Sequence, residues 1–195
     1  MPLYYDDDQT MLADTAGQFM AEEGSIKNQL RHWRDRQCKD GFGHALWQQF
    51  AEMGFTGMLV DEDDGGLGMG QVEANIVLEE IGRNLTPSPF LSSSVLAATA
   101  LKHGSNDVKG RWLPDLISGD KVYAVAIDEG PKHRPETIAC KAEKSGNGFR
   151  LSGKKDFVVG ALLHQRKSIQ DRGVSAPMPF RMGLDDVPTA KCGLV

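Results

Sequence analysis

The sequence contains few cysteines, few aromatic residues and no long apolar run. Its three cysteines, Cys38, Cys140 and Cys192, lie far apart, and no CxxC pair occurs. This spacing predicts neither a zinc site nor a thioredoxin-type redox motif, so we expect no bound metal. The chain also lacks the basic start and apolar run of a signal peptide, and the roughly 20 apolar residues of a membrane span. These absences predict a cytoplasmic protein with reduced thiols.

The charge balance is mildly acidic. The chain has 22 Lys and Arg against 27 Asp and Glu, a net charge of −5, with 40% hydrophobic and 25% charged residues. Nucleic acids and anionic membranes prefer basic surfaces, so neither is an expected partner. The 195 residues of this ordinary globular composition are enough for one core of about 150 residues and a smaller remainder.

An acidic, glycine-rich stretch at residues 61–70 resembles two ligand-binding motifs and matches neither. An EF-hand loop begun at Asp61 requires Asp or Asn at its fifth position and Glu at its twelfth, which hold Gly65 and Val72. The glycines fit GxGxxG in no register, so the Rossmann fingerprint is absent. We therefore predict a flexible connection between helices, with glycines at positive φ.

Apolar side chains recur at helical spacing through the first 120 residues. The first apolar face combines Leu12, Ala16, Phe19 and Met20. Further helices are predicted from about Gly43 to Gly54, from Gln71 to Asn84, over residues 92–103, and from a Ser105 cap to Gly119. The helix at residues 92–103 is small and apolar on most sides, so we expect most of its faces to be buried.

The pattern changes at Lys121. Short runs of strand formers follow at residues 122–127, 137–143, 149–151 and 157–159, with a turn signal at residues 145–148. Helices followed by strands, without alternation, predict an α+β fold. We divide the chain into a helical domain (1–120), a partial β-domain (121–160) and a tail (161–195) without any sustained period.

The order of several short motifs points to a known family. Residues 46–55 read LWQQFAEMGF, and residues 62–68 read EDDGGLG. They are followed by LEEIGR at residues 78–83, WLPDLISG at 112–119 and LSGKKDFVV at 151–159. In this order the motifs resemble the N-terminal half of the acyl-CoA dehydrogenases, over residues 5–159.

This resemblance implies a fold and a reaction. Family members have an all-helical N-terminal domain, a central β-domain and a helical C-terminal domain, so we expect the first of these and the beginning of an antiparallel β-domain. They are FAD-dependent oxidoreductases of lipid metabolism that oxidise the Cα–Cβ bond of an acyl-CoA thioester. A glutamate base removes the α-proton, and hydride passes to flavin N5. The resemblance also implies an electron-transfer flavoprotein as partner and a homo- or hetero-oligomeric assembly.

The resemblance assigns cofactor-binding positions to two stretches of the chain. They are Ile127, Asp128, Glu129, Phe157, Val158 and Val159. Asp128 stands where the family usually has threonine, and a carboxylate there would disfavour an anionic reduced flavin. Val159 has no hydroxyl group, so only its backbone N–H could contact the flavin. The GSD motif of the family is not recognisable in residues 130–136.

The same resemblance places the acyl-chain pocket along the helix of small residues. The candidate lining residues are Leu91, Ser94, Val95 and Ala98. Small side chains at these positions would leave space for an acyl group. Ordinary packing of helices and strands is the alternative explanation for each cofactor and pocket position.

The final stretch of the chain, residues 161–195, resembles no part of the family. The catalytic glutamate is expected in a C-terminal domain that this stretch does not contain, so no catalytic residue is assigned. A shifted reading frame or a premature stop near residues 159–161 would explain the loss of pattern. One hypothesis is an incomplete acyl-CoA dehydrogenase that is inactive alone. The other is a non-catalytic subunit, or a helical interaction module, of a heteromeric acyl-CoA dehydrogenase.

Overall fold

The computed structural model describes residues 4–38, 40–145 and 148–159. Its α-helices are α1 (Asp7–Glu22), α2 (His32–Asp35), α3 (His44–Glu52), α4 (Gln71–Asn84), α5 (Ala98–Lys102) and α6 (Asn106–Ile117). Two π-helical segments, Lys27–Arg31 and Leu91–Ala97, lead into α2 and α5, and 3₁₀ turns lie at Phe55–Gly57 and Glu62–Asp64. The strands β1 (Lys141–Ser145) and β2 (Gly148–Ser152) pair antiparallel.

Local sequence signals set the ends of several helices. The Asp6 carboxylate accepts a hydrogen bond from the backbone N–H of Gln9 at 2.8 Å, and the Gln9 side chain bonds back to the Asp6 N–H, which is a capping box. Ser105 caps α6 as predicted, and Gly54 follows α3 with a φ of +78°. These ends were predictable because capping depends on residues within one turn of each other.

An aromatic cluster fills the centre of the helical part. Phe50 is fully buried, and its ring lies 5.7 Å from that of Phe19 and 5.8 Å from that of Phe55, both edge to face. Trp47 and Phe90 pack on the same ring at 5.6 and 6.2 Å. Edge-to-face geometry suits the ring quadrupoles and adds to the hydrophobic stabilisation. One core therefore joins α1, α3 and the chain after α4.

The acidic, glycine-rich stretch folds back on the residues before it. The backbone N–H of Gly68 donates to the carbonyl of Val60, and that of Met69 donates to Met58, both at 2.8 Å. Gly65 and Gly68 have positive φ, as predicted. A Cβ at Gly66 would lie 2.2 Å from the Val60 carbonyl oxygen, so only glycine fits this close approach. Hydrogen bonds fix this connection in place, in contrast to the flexible one that we predicted.

Three of the four strand predictions differ from the structure. Within the described residues, the run at 122–127 is an extended segment that forms no strand, and only Val122 makes an isolated strand-like pairing. The run at 137–143 becomes a strand only from Lys141. The two residues before it, Ala139 and Cys140, donate their backbone N–H groups to the Glu129 carboxylate and not to a neighbouring strand. Residues 157–159 form no strand, since Phe157 has a φ of +53°, which is incompatible with an extended strand.

The fold class is nevertheless the expected one. A helical domain is followed by an antiparallel pair of strands, in which Ser145 lies opposite Gly148. The run predicted at 149–151 lies in β2. The two central turn residues, 146 and 147, and the tail at 161–195 lie outside the described residues.

Candidate functional site

The π-helical segment Leu91–Ala97 holds the start of the extended segment in place. All three of its serines are buried. The Ser93 hydroxyl accepts a hydrogen bond from the backbone N–H of Tyr123 at 3.3 Å, and the Tyr123 hydroxyl donates to the carbonyl of Trp112 at 3.3 Å. Burial raises the pKa of the Tyr123 hydroxyl well above its ordinary value, which keeps it protonated as a donor. The helix therefore anchors the chain just before the candidate cofactor positions.

The four predicted pocket residues have different surroundings. Ser94 and Ala98 are fully buried, and Val95 is partly buried against the core. Leu91 is 43% exposed. Among the described residues, the Ser94 hydroxyl has no hydrogen-bond partner. A buried hydroxyl without a partner is unfavourable by about 1–3 kcal/mol, so Ser94 is the one polar group of this set that still needs a partner.

The tertiary structure brings the two candidate cofactor stretches together. The backbone N–H of Asp156 donates to the carbonyl of Asp128 at 2.8 Å, and the Lys155 ammonium donates to the carbonyl of Ile127 at 3.0 Å. Residues 127 and 128 therefore lie against residues 155 and 156, which directly precede the second stretch, although 28 positions of sequence separate each bonded pair.

Apolar side chains at this junction are exposed. Ile127 is 43%, Val159 is 45% and Phe157 is 75% exposed. The left-handed backbone of Phe157 is unusual for an aromatic residue. Such strain at an exposed aromatic side chain is typical of binding sites, where a ligand covers the surface.

The Glu129 carboxylate points into the protein, where it closes a loop. It accepts hydrogen bonds from the backbone N–H groups of Ala139 and Cys140 and from the Lys155 ammonium, the last at 2.7 Å. The Lys155 ammonium and these N–H groups lower the pKa of Glu129 to about 2. The carboxylate thus stays ionised, and it connects residue 129 to residues 139–140 and to Lys155.

Asp128 closes the same loop from its other side. Its carboxylate lies 3.0 Å from Nδ1 of His133 and accepts from the backbone N–H of Arg134 at 3.2 Å. The His133 hydrogen bond, followed by that of Arg134, holds the pKa of Asp128 below its ordinary value. Both acidic residues at candidate cofactor positions therefore organise the loop at residues 130–137.

Three residues have clear roles here that sequence reasoning missed. Lys155 belongs to the LSGKKDFVV motif, but the motif alone gives it no role. Ser93 stands out in the sequence only for its small size. No sequence signal points to His133, because its contact with Asp128 depends on how the loop closes.

Two kinds of feature are missing from the described ranges. In residues 4–38, 40–145 and 148–159, no three His, Cys, Asp or Glu side chains form a group able to hold a metal ion. Across the same part of the chain, no helix has the length and apolar character needed to cross a membrane.

The helical domain matches one known class of protein. A family model described as "Acyl-CoA dehydrogenase, N-terminal domain" matches residues 6–120. The chain therefore belongs to the acyl-CoA dehydrogenase family.

Individual relatives agree with this assignment. The acyl-CoA dehydrogenase FadE27 of Mycobacterium tuberculosis is 34% identical over 122 residues, which are 60% of this chain and 31% of the relative. FadE12 of the same species is 29% identical over 166 residues, or 81% of this chain and 42% of the relative. The chain thus spans less than half the length of these relatives.

Solved structures share the fold. The structure named "Tcur3481-Tcur3483 steroid ACAD G363A variant" has a TM-score of 0.69 at 27% identity. The match covers 80% of this chain and 42% of the chain in that structure. The ChsE4-ChsE5 complex from Mycobacterium tuberculosis has a TM-score of 0.68 at 26% identity. This match covers 81% of this chain and 42% of the matched chain. Both matches extend beyond residue 120, because they cover about four-fifths of this chain.

Proposed function

We propose that this chain is part of an FAD-dependent acyl-CoA dehydrogenase, a flavoprotein that oxidises the Cα–Cβ bond of an acyl-CoA thioester. One observation carries the proposal. In a member of this family, the two candidate flavin stretches are joined by the hydrogen bond from Asp156 to Asp128, a few residues after Tyr123, which the buried Ser93 holds in place. The geometry thus supports one site built from the helical part and the β-region.

The residues at this junction suit FAD in two respects. Ile127, Phe157 and Val159 offer exposed apolar side chains on adjacent stretches, which can cover a flat aromatic ring. Within the described residues, the backbone N–H groups of Ile127 and Val159 donate to no protein acceptor, so they are available to the polar edge of a ring. A structure named "FAD-dependent dehydrogenase", 26% identical with a TM-score of 0.57, supports the same cofactor.

A bound flavin would supply the two-electron oxidant that dehydrogenation requires. The residues of this chain would bind and orient the reactants. Ile127, Phe157 and Val159 would exclude water from the ring, and Ser94 and Ala98 would border the acyl group from the helical side. The base that takes the α-proton is assigned to no residue of this chain, so we propose that the chain alone is inactive.

The proposed partners follow from the same function. They are the acyl-CoA substrate, an electron-transfer flavoprotein that accepts the electrons, and further subunits of a homo- or hetero-oligomer. The relatives solved as the ChsE4-ChsE5 complex and as Tcur3481-Tcur3483 support an assembly from more than one kind of chain.

A flavin titration tests the proposal directly. Purified protein is titrated with FAD while flavin fluorescence is followed, and Ile127→Asp is compared with Met11→Asp. Met11 is 63% exposed on α1, so the control adds the same charge at an exposed position outside the candidate site. We expect the wild type and Met11→Asp to bind FAD alike, and Ile127→Asp to bind about tenfold more weakly, since a carboxylate would face the ring. No binding by the wild type, or equal effects of both variants, would refute this site.

The departures at the cofactor positions favour a second candidate function. Asp128 and Glu129 are used in loop closure, and Val159 offers no hydroxyl group. A non-catalytic subunit of a heteromeric acyl-CoA dehydrogenase, with the flavin held by its partner, would have such a site. Co-expression with a full-length homologue distinguishes the two: joint purification with flavin on the homologue alone supports the non-catalytic subunit, and flavin on this chain supports the first proposal.

A further inference from the structure

We propose that the loop at residues 130–137 binds the phosphate groups of a nucleotide ligand through Lys132 and Arg134. The loop directly follows Glu129, the last residue of the first candidate cofactor stretch. The class of ligand rests on the proposed function, which brings two nucleotides to this region, acyl-CoA and FAD. Both carry phosphate groups, and phosphate is the chemistry that the loop would recognise.

The backbone of this loop is fixed before any ligand binds. The Asp128 carboxylate accepts the N–H of Arg134 at 3.2 Å, and the N–H of Thr137 donates to the Arg134 carbonyl at 3.0 Å. The Glu129 carboxylate holds the far end of the loop at Ala139 and Cys140. A loop ordered in advance loses less conformational entropy when a ligand binds, which favours affinity.

Two cations of the loop face an open concavity. Lys132 and Arg134 are exposed and line a space of about 320 Å³, together with Thr137. Neither cation forms an ion pair within the part of the chain that the structure describes, whereas His133 between them contacts Asp128. Glu129 also borders this space, but its charge is countered by Lys155 at 2.7 Å. The two cations are therefore available to an anion.

The charge of the chain is unevenly distributed, which favours an anion here. Residues 1–120 contain nine Lys and Arg against nineteen Asp and Glu, a net charge of −10. Residues 121–159 contain eight against five, a net charge of +3. A phosphate group approaching the molecule is thus repelled by the helical part and attracted to the part that carries the loop.

The two side chains suit phosphate oxygens. The guanidinium of Arg134 can donate two parallel hydrogen bonds to one phosphate group, and the ammonium of Lys132 adds a compact charge beside it. Thr137 lines the same space, and a threonine hydroxyl can donate to a third oxygen. Coenzyme A and FAD both contain a diphosphate, and coenzyme A also carries a 3′-phosphate, so the experiment must separate these sources.

Binding measurements on the whole chain test the proposal. Calorimetric titrations use coenzyme A, 3′-dephospho-coenzyme A, FAD and riboflavin as probes. The variant Lys132→Gln/Arg134→Gln is compared with Lys141→Gln/Lys144→Gln, which removes the same charge from exposed positions of β1. We expect the loop variant to bind a phosphate-bearing probe at least about tenfold more weakly than the wild type, and the β1 variant to change binding less than about twofold.

The pattern across the probes identifies the source of the phosphate. Weaker binding of coenzyme A alone assigns the loop to the substrate, and the 3′-dephospho form then shows whether the 3′-phosphate is the group bound. Weaker binding of FAD, with riboflavin unchanged, assigns the loop to the cofactor. Equal losses in the loop and β1 variants, or no loss in the loop variant, would overturn the proposal.

The single variants and Lys132→Arg/Arg134→Lys complete the design. The charge-conserving double variant should keep most of the affinity, and each single substitution should lose part of it. All these side chains are exposed, so circular dichroism melting curves are expected to match the wild type. The outcome is distinguishable from that of the flavin titration: coenzyme A binding that depends on the loop would stand even if Ile127→Asp left FAD binding unchanged.

Discussion

At the scale of single residues, Ser93 and Ser94 are neighbours in one buried segment, but their hydroxyl groups have different surroundings. Ser93 accepts from the backbone N–H of Tyr123, whereas Ser94 has no hydrogen-bond partner among the described residues. Ser93→Ala would leave a buried N–H without its acceptor and should destabilise the protein by about 1–3 kcal/mol. Ser94→Ala removes an unsatisfied group and should leave the free energy of unfolding unchanged or raise it. Urea denaturation of both variants measures the difference.

The two serine variants also distinguish an effect on protein stability from an effect on ligand affinity. Equal destabilisation by both substitutions would contradict the assigned hydrogen-bond pattern. If Ser94→Ala keeps its stability but loses affinity for an acyl-CoA, the hydroxyl takes its partner from the ligand, as the proposed pocket requires.

Glu129 gives a prediction about pH. Its pKa is lowered from 4.5 to about 2 in the folded protein, first by the Lys155 ammonium. A lowered pKa means that the folded state favours the ionised form, so the stabilisation is complete above pH 4.5 and is lost as the pH falls from there towards 2. The difference in melting temperature between the wild type and Glu129→Gln should therefore be constant above about pH 5 and shrink at lower pH. A difference that does not change between pH 6 and 3 would contradict this assignment.

At the scale of structural elements, two glycines should respond to alanine in opposite directions. Gly66 lies in the folded-back stretch, where a Cβ would approach the Val60 carbonyl oxygen to 2.2 Å. Gly82 lies on the exposed side of α4, where a Cβ would meet no atom within 4 Å. Gly66→Ala should destabilise the protein by about 1–3 kcal/mol through this overlap. Gly82→Ala should stabilise it by about 0.5–1 kcal/mol through helix propensity.

Thermal unfolding of both variants checks this pair. A neutral Gly66→Ala would mean that the stretch can move away from Val60, as a flexible connection would. The contrast depends on tertiary structure, because both residues are glycines in motifs of the same family resemblance.

The elements also differ in how far the sequence predicted them. Helices were predicted well, since Ser105, Gly54 and the apolar periodicity act within a turn or two of the chain. Strands were predicted poorly after residue 121. A strand requires a partner, and here the Glu129 carboxylate occupies the N–H groups of Ala139 and Cys140, which the pattern alone would have placed in a ladder.

At the scale of the whole molecule, the hydrophobic core extends past the predicted domain boundary at residue 120. Val122, Tyr123 and Ala124 are each at most 2% exposed, and Tyr123 packs edge to face on Trp112 at 6.0 Å. The free energy of unfolding of a chain ending at residue 120 should be lower by about 3–5 kcal/mol, because removal of one buried aromatic side chain such as Tyr123 has this cost. A chain ending at residue 126 should unfold close to the full-length chain.

Differential scanning calorimetry of the two shortened chains and the full chain measures this effect. Equal melting temperatures for the chains ending at residues 120 and 126 would place the boundary where the sequence predicted it. Lower stability of the shorter chain would show that the helical domain requires the extended segment as part of its core.

The sequence by itself determined the helices, the glycine turns and the family, because caps, periodicity and short motifs are local in the chain. The tertiary structure decided the contacts around the candidate site residues. Ser93 meets Tyr123 across 30 positions, and Glu129 meets Lys155 across 26. Such contacts depend on how distant segments pack, which no local pattern encodes. For this reason the loop contacts of Asp128 and Glu129 could not be predicted from the motifs that place these residues at the cofactor.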